Sequence, residues 1–148
     1  MSLIGKIYGE FYKEVFKGAI NWETDAFKVV LLKDAYTVDL LNHKVLNDLN
    51  LVANEATGTN YVSGGETLTN KGVTYEHATR KVNITADDIQ WDNSSISARY
   101  AVLYKDTGDG ATSTLVKVTD FTETKTSTNS IFKIAWGTSV ITETLMDS

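Results

Sequence analysis

The chain contains no cysteine and no proline. Without cysteine there is no disulfide, no thiolate zinc site and no cysteine nucleophile. Average proline usage of about 5% would supply several residues, so the turns here must come from Gly, Asn, Asp and Ser. Histidine is scarce as well: His43 and His77 are the only two. No run approaches the ~20 apolar residues that cross a bilayer, so no membrane partner is expected. Glu10, Lys13 and Glu14 interrupt the N-terminal stretch where a secretory apolar core would lie, which leaves no readable export address. The net charge of −5 repels phosphate, so direct nucleic-acid binding is not expected either. Motifs that announce chemistry are missing too. There is no Gly-x-Ser-x-Gly nucleophile elbow, no phosphate loop of the Gly-x4-Gly-Lys-Ser/Thr type and no Gly-x-Gly-x-x-Gly.

What the chain does have is enough apolar content for a core. It has 148 residues, 42% of them hydrophobic and 22% charged, which predicts one ordinary domain over residues 1–148. Residues 3–17 read as an amphipathic helix. Ile4, Ile7, Tyr8, Phe11, Tyr12, Val15 and Phe16 fall at steps of three and four, with Gly18 placed as a C-terminal cap. Ala26 to Lys33 is apolar on both faces, which suits a central strand. Residues 38–49 could be a short helix or an irregular loop, and Gly64-Gly65 breaks the chain. The remainder reads as β. The strands "GVTYE" and "KVNITA" are joined across "HATR", and "DIQW" precedes a turn at Asp92–Ser95. Ile96 to Tyr104 alternates, with Ile96, Ala98, Tyr100, Val102 and Tyr104 on one face and Ser97, Arg99, Ala101 and Leu103 on the other. Leu115–Phe121 and Ile131–Trp136 are two further strands, separated by "TETKTSTNS". The predicted fold is mainly β: an antiparallel β-sandwich or barrel with one N-terminal amphipathic helix.

Few residues qualify for chemistry. The loop from Asp106 to Gly110 resembles a calcium loop, but the bidentate carboxylate needed twelve positions along is Lys117, so a Gly/Asp-rich hairpin loop is expected. Asp87 and Asp88 are adjacent; in a strand they point to opposite faces and do not converge on a substrate. Trp22, Trp91 and Trp136 could stack on sugars, yet each lies in or beside an apolar β run and is expected to pack. The sequons at Asn83 and Asn93 matter only in a secreted eukaryotic protein. No catalytic, metal or cofactor residue is assigned. One surface stands out instead. The helix is expected to pack on the protein's own sheet, but Tyr8, Phe11, Tyr12 and Phe16 put more aromatic area in one stripe than a short helix needs, so part of it, or an adjacent sheet edge, is a candidate interface with a neighbouring copy or another protein.

The order of segments resembles a known family. A helix is followed by "INWETDAFKVVLL", then "LNDL" and "ANE", then "GTNYVSGGETLTNKGVTY", "DDIQWDNSSISARYAVLYKDTG" and a final "FKIAWG". This is similar, over nearly the whole chain, to small structural proteins encoded among the head and tail genes of tailed bacteriophages and prophages. Residues 20–32, 53–75 and 87–108 are its most specific parts. The resemblance implies a non-enzymatic virion component, assembled in the host cytoplasm, whose partners are the major capsid protein or other virion proteins and further copies of itself. Within that class it implies a capsid decoration protein, or else a tail- or fibre-associated component or host-surface binding module. A small enzyme remains a third class, one that a converging carboxylate or histidine pair in a cleft would favour.

Overall fold

The computed structural model describes residues 4–145. In chain order these form β1 (Ile4–Ile7), α1 (Gly9–Phe16), β2 (Phe27–Leu32), a 3-10 turn (Leu46–Leu49), α2 (Leu51–Asn54), β3 (Gly58–Thr59), β4 (Glu66–Thr67), β5 (Gly72–Glu76), β6 (Lys81–Thr85), β7 (Ile89–Lys105), β8 (Leu115–Thr126), β9 (Ser130–Ile134) and β10 (Ile141–Thr144). All strand pairings among them are antiparallel. The larger sheet runs β1-β8-β7-β2-β4, with β3 and β9 attached to the first half of β7; the smaller is β10-β6-β5. The result is sandwich-like and not a closed barrel.

β7 is the spine. Its partner residues descend steadily from Ile134 opposite Ile89, through Thr126 opposite Ser97, to Leu115 opposite Tyr104. β8 and β9 therefore act as one long interrupted partner, and residues 106–114 close the hairpin. On the other flank β2 pairs with Tyr100–Lys105 and β3 with Ser95 and Ile96. β2 is covered on both faces, as its sequence predicts. Val29 and Leu31 join Ala101, Leu103, Val116, Ile141 and Trp22 in one cluster. Val30 and Leu32 join Tyr100, Val102, Tyr104 and Leu115 in another, roofed by Tyr36 and Leu49 from the segment after β2.

Four expectations need correction. The helix begins at Gly9, not at residue 3, which lies outside the described residues. Residues 4–7 are a strand paired with Lys117–Asp120, and the ladder continues into the Tyr8 N–H, which donates to Val116 O at 2.9 Å. The spacing of four between Ile4 and Tyr8 fits either form, while Gly5 and Gly9 weaken a helix. Asp92–Ser95 is not a chain reversal but part of β7. Asn93 takes a left-handed φ of 47°, and the register to β9 breaks between Trp91 and Ser94, which marks a bulge. The alternation of Ile96 to Tyr104 does not keep one environment. Ile96 and Ala98 pack with the inter-sheet cluster, whereas Tyr100, Val102 and Tyr104 pack with the other. The change coincides with the register break between Ala98 and Tyr100, where β8 carries extra residues around Thr122 (φ 70°). "TETKT" is the end of β8 and not a loop, consistent with threonine's fit to a strand that faces water. Residues 38–49 follow the irregular option apart from the 3-10 turn.

Candidate functional site

The four aromatic side chains of the proposed interface do not share a surface. Tyr8 precedes the helix in extended conformation (φ −74°, ψ 130°), so helical spacing does not govern where it points. It is fully buried, and its hydroxyl lies 2.9 Å from that of Tyr36, which in turn lies 2.9 Å from Nδ1 of His43. Burial, then the bond to Tyr36, pushes the Tyr8 hydroxyl far above the ordinary tyrosine range. Phe11 is 1% exposed and sits in the inter-sheet core. Tyr12 packs partly buried against that core, and its hydroxyl donates to the Glu143 carboxylate on β10. Phe16, at the helix end, is 87% exposed. Of the four, Phe16 alone offers a largely free ring.

The other singled-out residues hold loops. Asp87 accepts from the Thr69 hydroxyl (3.1 Å) and Asn70 side-chain amide (3.3 Å), while Asp88 accepts the Trp136 N–H (2.9 Å); the two carboxylates serve different segments. Asp106 takes the Gly108 N–H at 3.0 Å, and Asp109 the Ala111 N–H at 2.9 Å, as expected for a hairpin loop built on Asx turns. Trp22 and Trp136 donate their indole N–H groups to Thr85 O and Asp87 O, both at 3.0 Å, and Trp91 packs between Tyr61 and Phe132. His77 stacks edge-on against Tyr75. Among the described residues no group of three or more His, Asp or Glu could hold a metal ion.

Two polar constellations are not legible in the sequence, the first because only the fold of a loop makes its members converge, the second because they are far apart in the chain. The first is centred on Glu55. Its carboxylate accepts from the Tyr61 hydroxyl, the Ser63 hydroxyl and the Gly64 N–H, each at 2.7 Å, and the Tyr61 hydroxyl accepts the Leu31 N–H at 3.0 Å. Tyr104 completes the brace by donating to Gly64 O at 2.6 Å. This ties the loop after α2 to β2 and β7. The sequence signals for it are the segments "ANE" and "GTNYVSGG" within the resemblance and the Gly64-Gly65 break. A cleft of about 370 Å³ opens beside the brace, lined by Leu51, Val52, Glu55, Tyr61 and Ser63 among others. Val52, on the cleft wall, is 100% exposed, and Val62, between Tyr61 and Ser63 in the chain, 74%.

The second constellation does bring two carboxylates together. Arg99 reaches Asp120 (Nε to Oδ1, 3.1 Å) and Asp34 (Nη1 to Oδ1, 2.8 Å) at the margin of a cleft that Lys6, Tyr36 and Tyr100 also line. General acid–base work by a carboxyl pair needs one member kept protonated near neutral pH. Here the opposite holds for Asp120. Burial raises its pKa, but hydrogen bonds from Arg99 and from the Thr122 N–H (2.7 Å) outweigh burial and bring it below the usual carboxylate range. Since the folded pKa is depressed, the stabilisation is present above the unfolded aspartate value of about 3.9 and is lost as pH falls through the lower folded value. Melting temperature measured from neutral pH down to about pH 2 is expected to fall less steeply below pH ~4 for Asp120→Asn than for the wild type. An unchanged slope would contradict the role of this pair.

Comparison of the chain with protein-family models, with curated proteins and with solved structures yields no match.

Proposed function

We propose that this chain is a non-enzymatic structural protein of a tailed-phage virion, and specifically a decoration protein that docks in many copies on the shell of the major capsid protein. The observation that carries the reading is where the resembling segments fall. Residues 20–32 hold Trp22 and β2, residues 53–75 hold the Glu55 brace and β3 to β5, and residues 87–108 are the β7 spine. The likeness is thus to the residues that build the framework. The acids and aromatics that a site would use support the same reading, since they are hydrogen-bonded to this chain's own loops. A particle-surface protein needs a stable body and a docking face, and symmetry multiplies a weak contact over many copies. Phe16 on α1, Val52 on α2 and Val62 in the segment between β3 and β4 are exposed apolar side chains available for such a face.

Quantifying this protein in purified particles, together with its position in an image reconstruction, tests the reading. Hundreds of copies on the head are expected. A few copies at the tail would replace the capsid placement by the tail one, and absence from the particle would overturn both. Serine at Phe16, Val52 and Val62 together should leave the melting temperature near wild type and lower occupancy. Full occupancy would move the docking face elsewhere.

A further inference from the structure

A strand edge invites pairing with another chain, and proteins protect edges by shortness, inward or central charges, bulges or a covering element. Most edges here carry such a device. β3 and β4 have two residues each. β1 has Lys6 within its four residues. β9 has Lys133 near its middle, and its register to β7 is broken. β10 carries Glu143, capped by the Tyr12 hydroxyl of α1. β5 differs. Its five residues, Gly72-Val-Thr-Tyr-Glu76, contain no Lys, Arg or Pro; their one charge, Glu76, is the last residue and accepts from the Thr79 hydroxyl and the Asn83 side-chain amide of its own hairpin, and their register to β6 is unbroken from Gly72 opposite Thr85 to Glu76 opposite Lys81. The edge away from β6 has no strand partner among the described residues.

That edge is also where an apolar stripe runs out of the core. Across the small sheet, Ile141 lies opposite Ile84, Ile84 opposite Val73, and Val82 opposite Tyr75. Ile141 is buried and Ile84 packs against the inter-sheet core, but Val73 and Tyr75 remain 44% and 41% exposed.

We propose that β5 pairs with β5 of a second copy, antiparallel about a two-fold axis through Thr74, to make one six-stranded sheet β10-β6-β5-β5-β6-β10. A second copy is the occupant because the edge is complementary to itself in this register. Val73 falls opposite the partner's Tyr75, Tyr75 opposite the partner's Val73, Thr74 opposite its own equivalent, and Gly72 opposite the partner's Glu76. Aromatic against β-branched and Thr against Thr are favourable cross-strand pairs, and no like charges meet. The contact is isologous, so it closes at two copies. A five-residue edge buries less than the ~1,200 Å² of a stable interface, so the dimer is weak in solution and fills at the high local concentration of an assembly. The inference does not depend on the virion reading.

The absence of cysteine makes the test direct, since one introduced thiol reports one position. Thr74→Cys meets only its own copy in this register, at the cross-strand separation a disulfide can approach. Asp109→Cys, in the exposed hairpin loop, is the control. Under mild oxidation Thr74→Cys should cross-link much faster than Asp109→Cys. Sedimentation of the wild type from micromolar to millimolar should show a monomer–dimer equilibrium, which Thr74→Lys weakens by about tenfold or more through the facing charges. Thr74 is exposed, so thermal melts should show both variants folded. A wild type that stays monomeric throughout, a dimer that Thr74→Lys leaves unchanged, or equal cross-linking of the two cysteine variants would each overturn the proposal.

Discussion

Phe11→Ala is expected to destabilise the protein by about 3–5 kcal/mol, the range for truncating a buried phenylalanine. Phe11 is 1% exposed and is the contribution of α1 to the inter-sheet core. For a domain of this size the loss corresponds to a melting temperature lowered by roughly 6–20 °C. Phe16→Ala, one helical turn and a residue later, is expected to change stability by no more than about 0.5 kcal/mol, because its ring is in water. Circular dichroism melts of the two single variants measure both. The contrast separates a helix that anchors the fold from one that offers a surface, and α1 does the first through Phe11 and the second through Phe16. Similar melting temperatures for the two variants would mean that α1 is not docked as described.

Gly65→Ala should be nearly as disruptive, by about 2–5 kcal/mol, from two separable causes. Gly65 has φ +90°, where an L side chain costs about 1–2 kcal/mol. An added Cβ would also stand 1.8 Å from Val29 O, a backbone atom of the central strand that cannot yield without moving β2. Overpacking of that kind adds about 1–3 kcal/mol. Gly108 isolates the first cause, since it has φ +85° but nothing within 4 Å of an added Cβ. Gly108→Ala should therefore cost about 1–2 kcal/mol. Urea denaturation with an unchanged m-value reads both. Equal losses at the two positions would show that the close approach to Val29 is relieved at little cost.

The Gly64-Gly65 pair was visible in the sequence as a break, but not as the point where Glu55, Tyr104 and β2 converge. The same division runs through the molecule. The hairpin of β5 and β6 across "HATR" was legible because a strand pair joined by a short polar turn is a local pattern. The burial of β2 on both faces was legible because its run contains no polar alternation. Tyr8 reads as helical because its step of four from both Ile4 and Tyr12 suits a helix face, although it stands between β1 and α1, and a step of four suits a strand face equally. β7 was misread because a left-handed Asn93 among polar residues looks the same in sequence whether it reverses the chain or only bulges it.

From sequence alone follow the absence of disulfide or thiolate chemistry, the β-rich class, the covered central strand and the polar hairpin loop at 106–114. Each depends on composition or on periodicity over a few residues. The tertiary structure decided which of the helix aromatics are core, which face each half of β7 presents, what the Glu55 carboxylate holds and which strand edge is left open. The Glu55 bonds depend on how the loop at residues 55–64 folds, and the others on partners tens of residues away, brought together by strand pairing. Side-chain period records that a residue has an inward face, but not what lies opposite it.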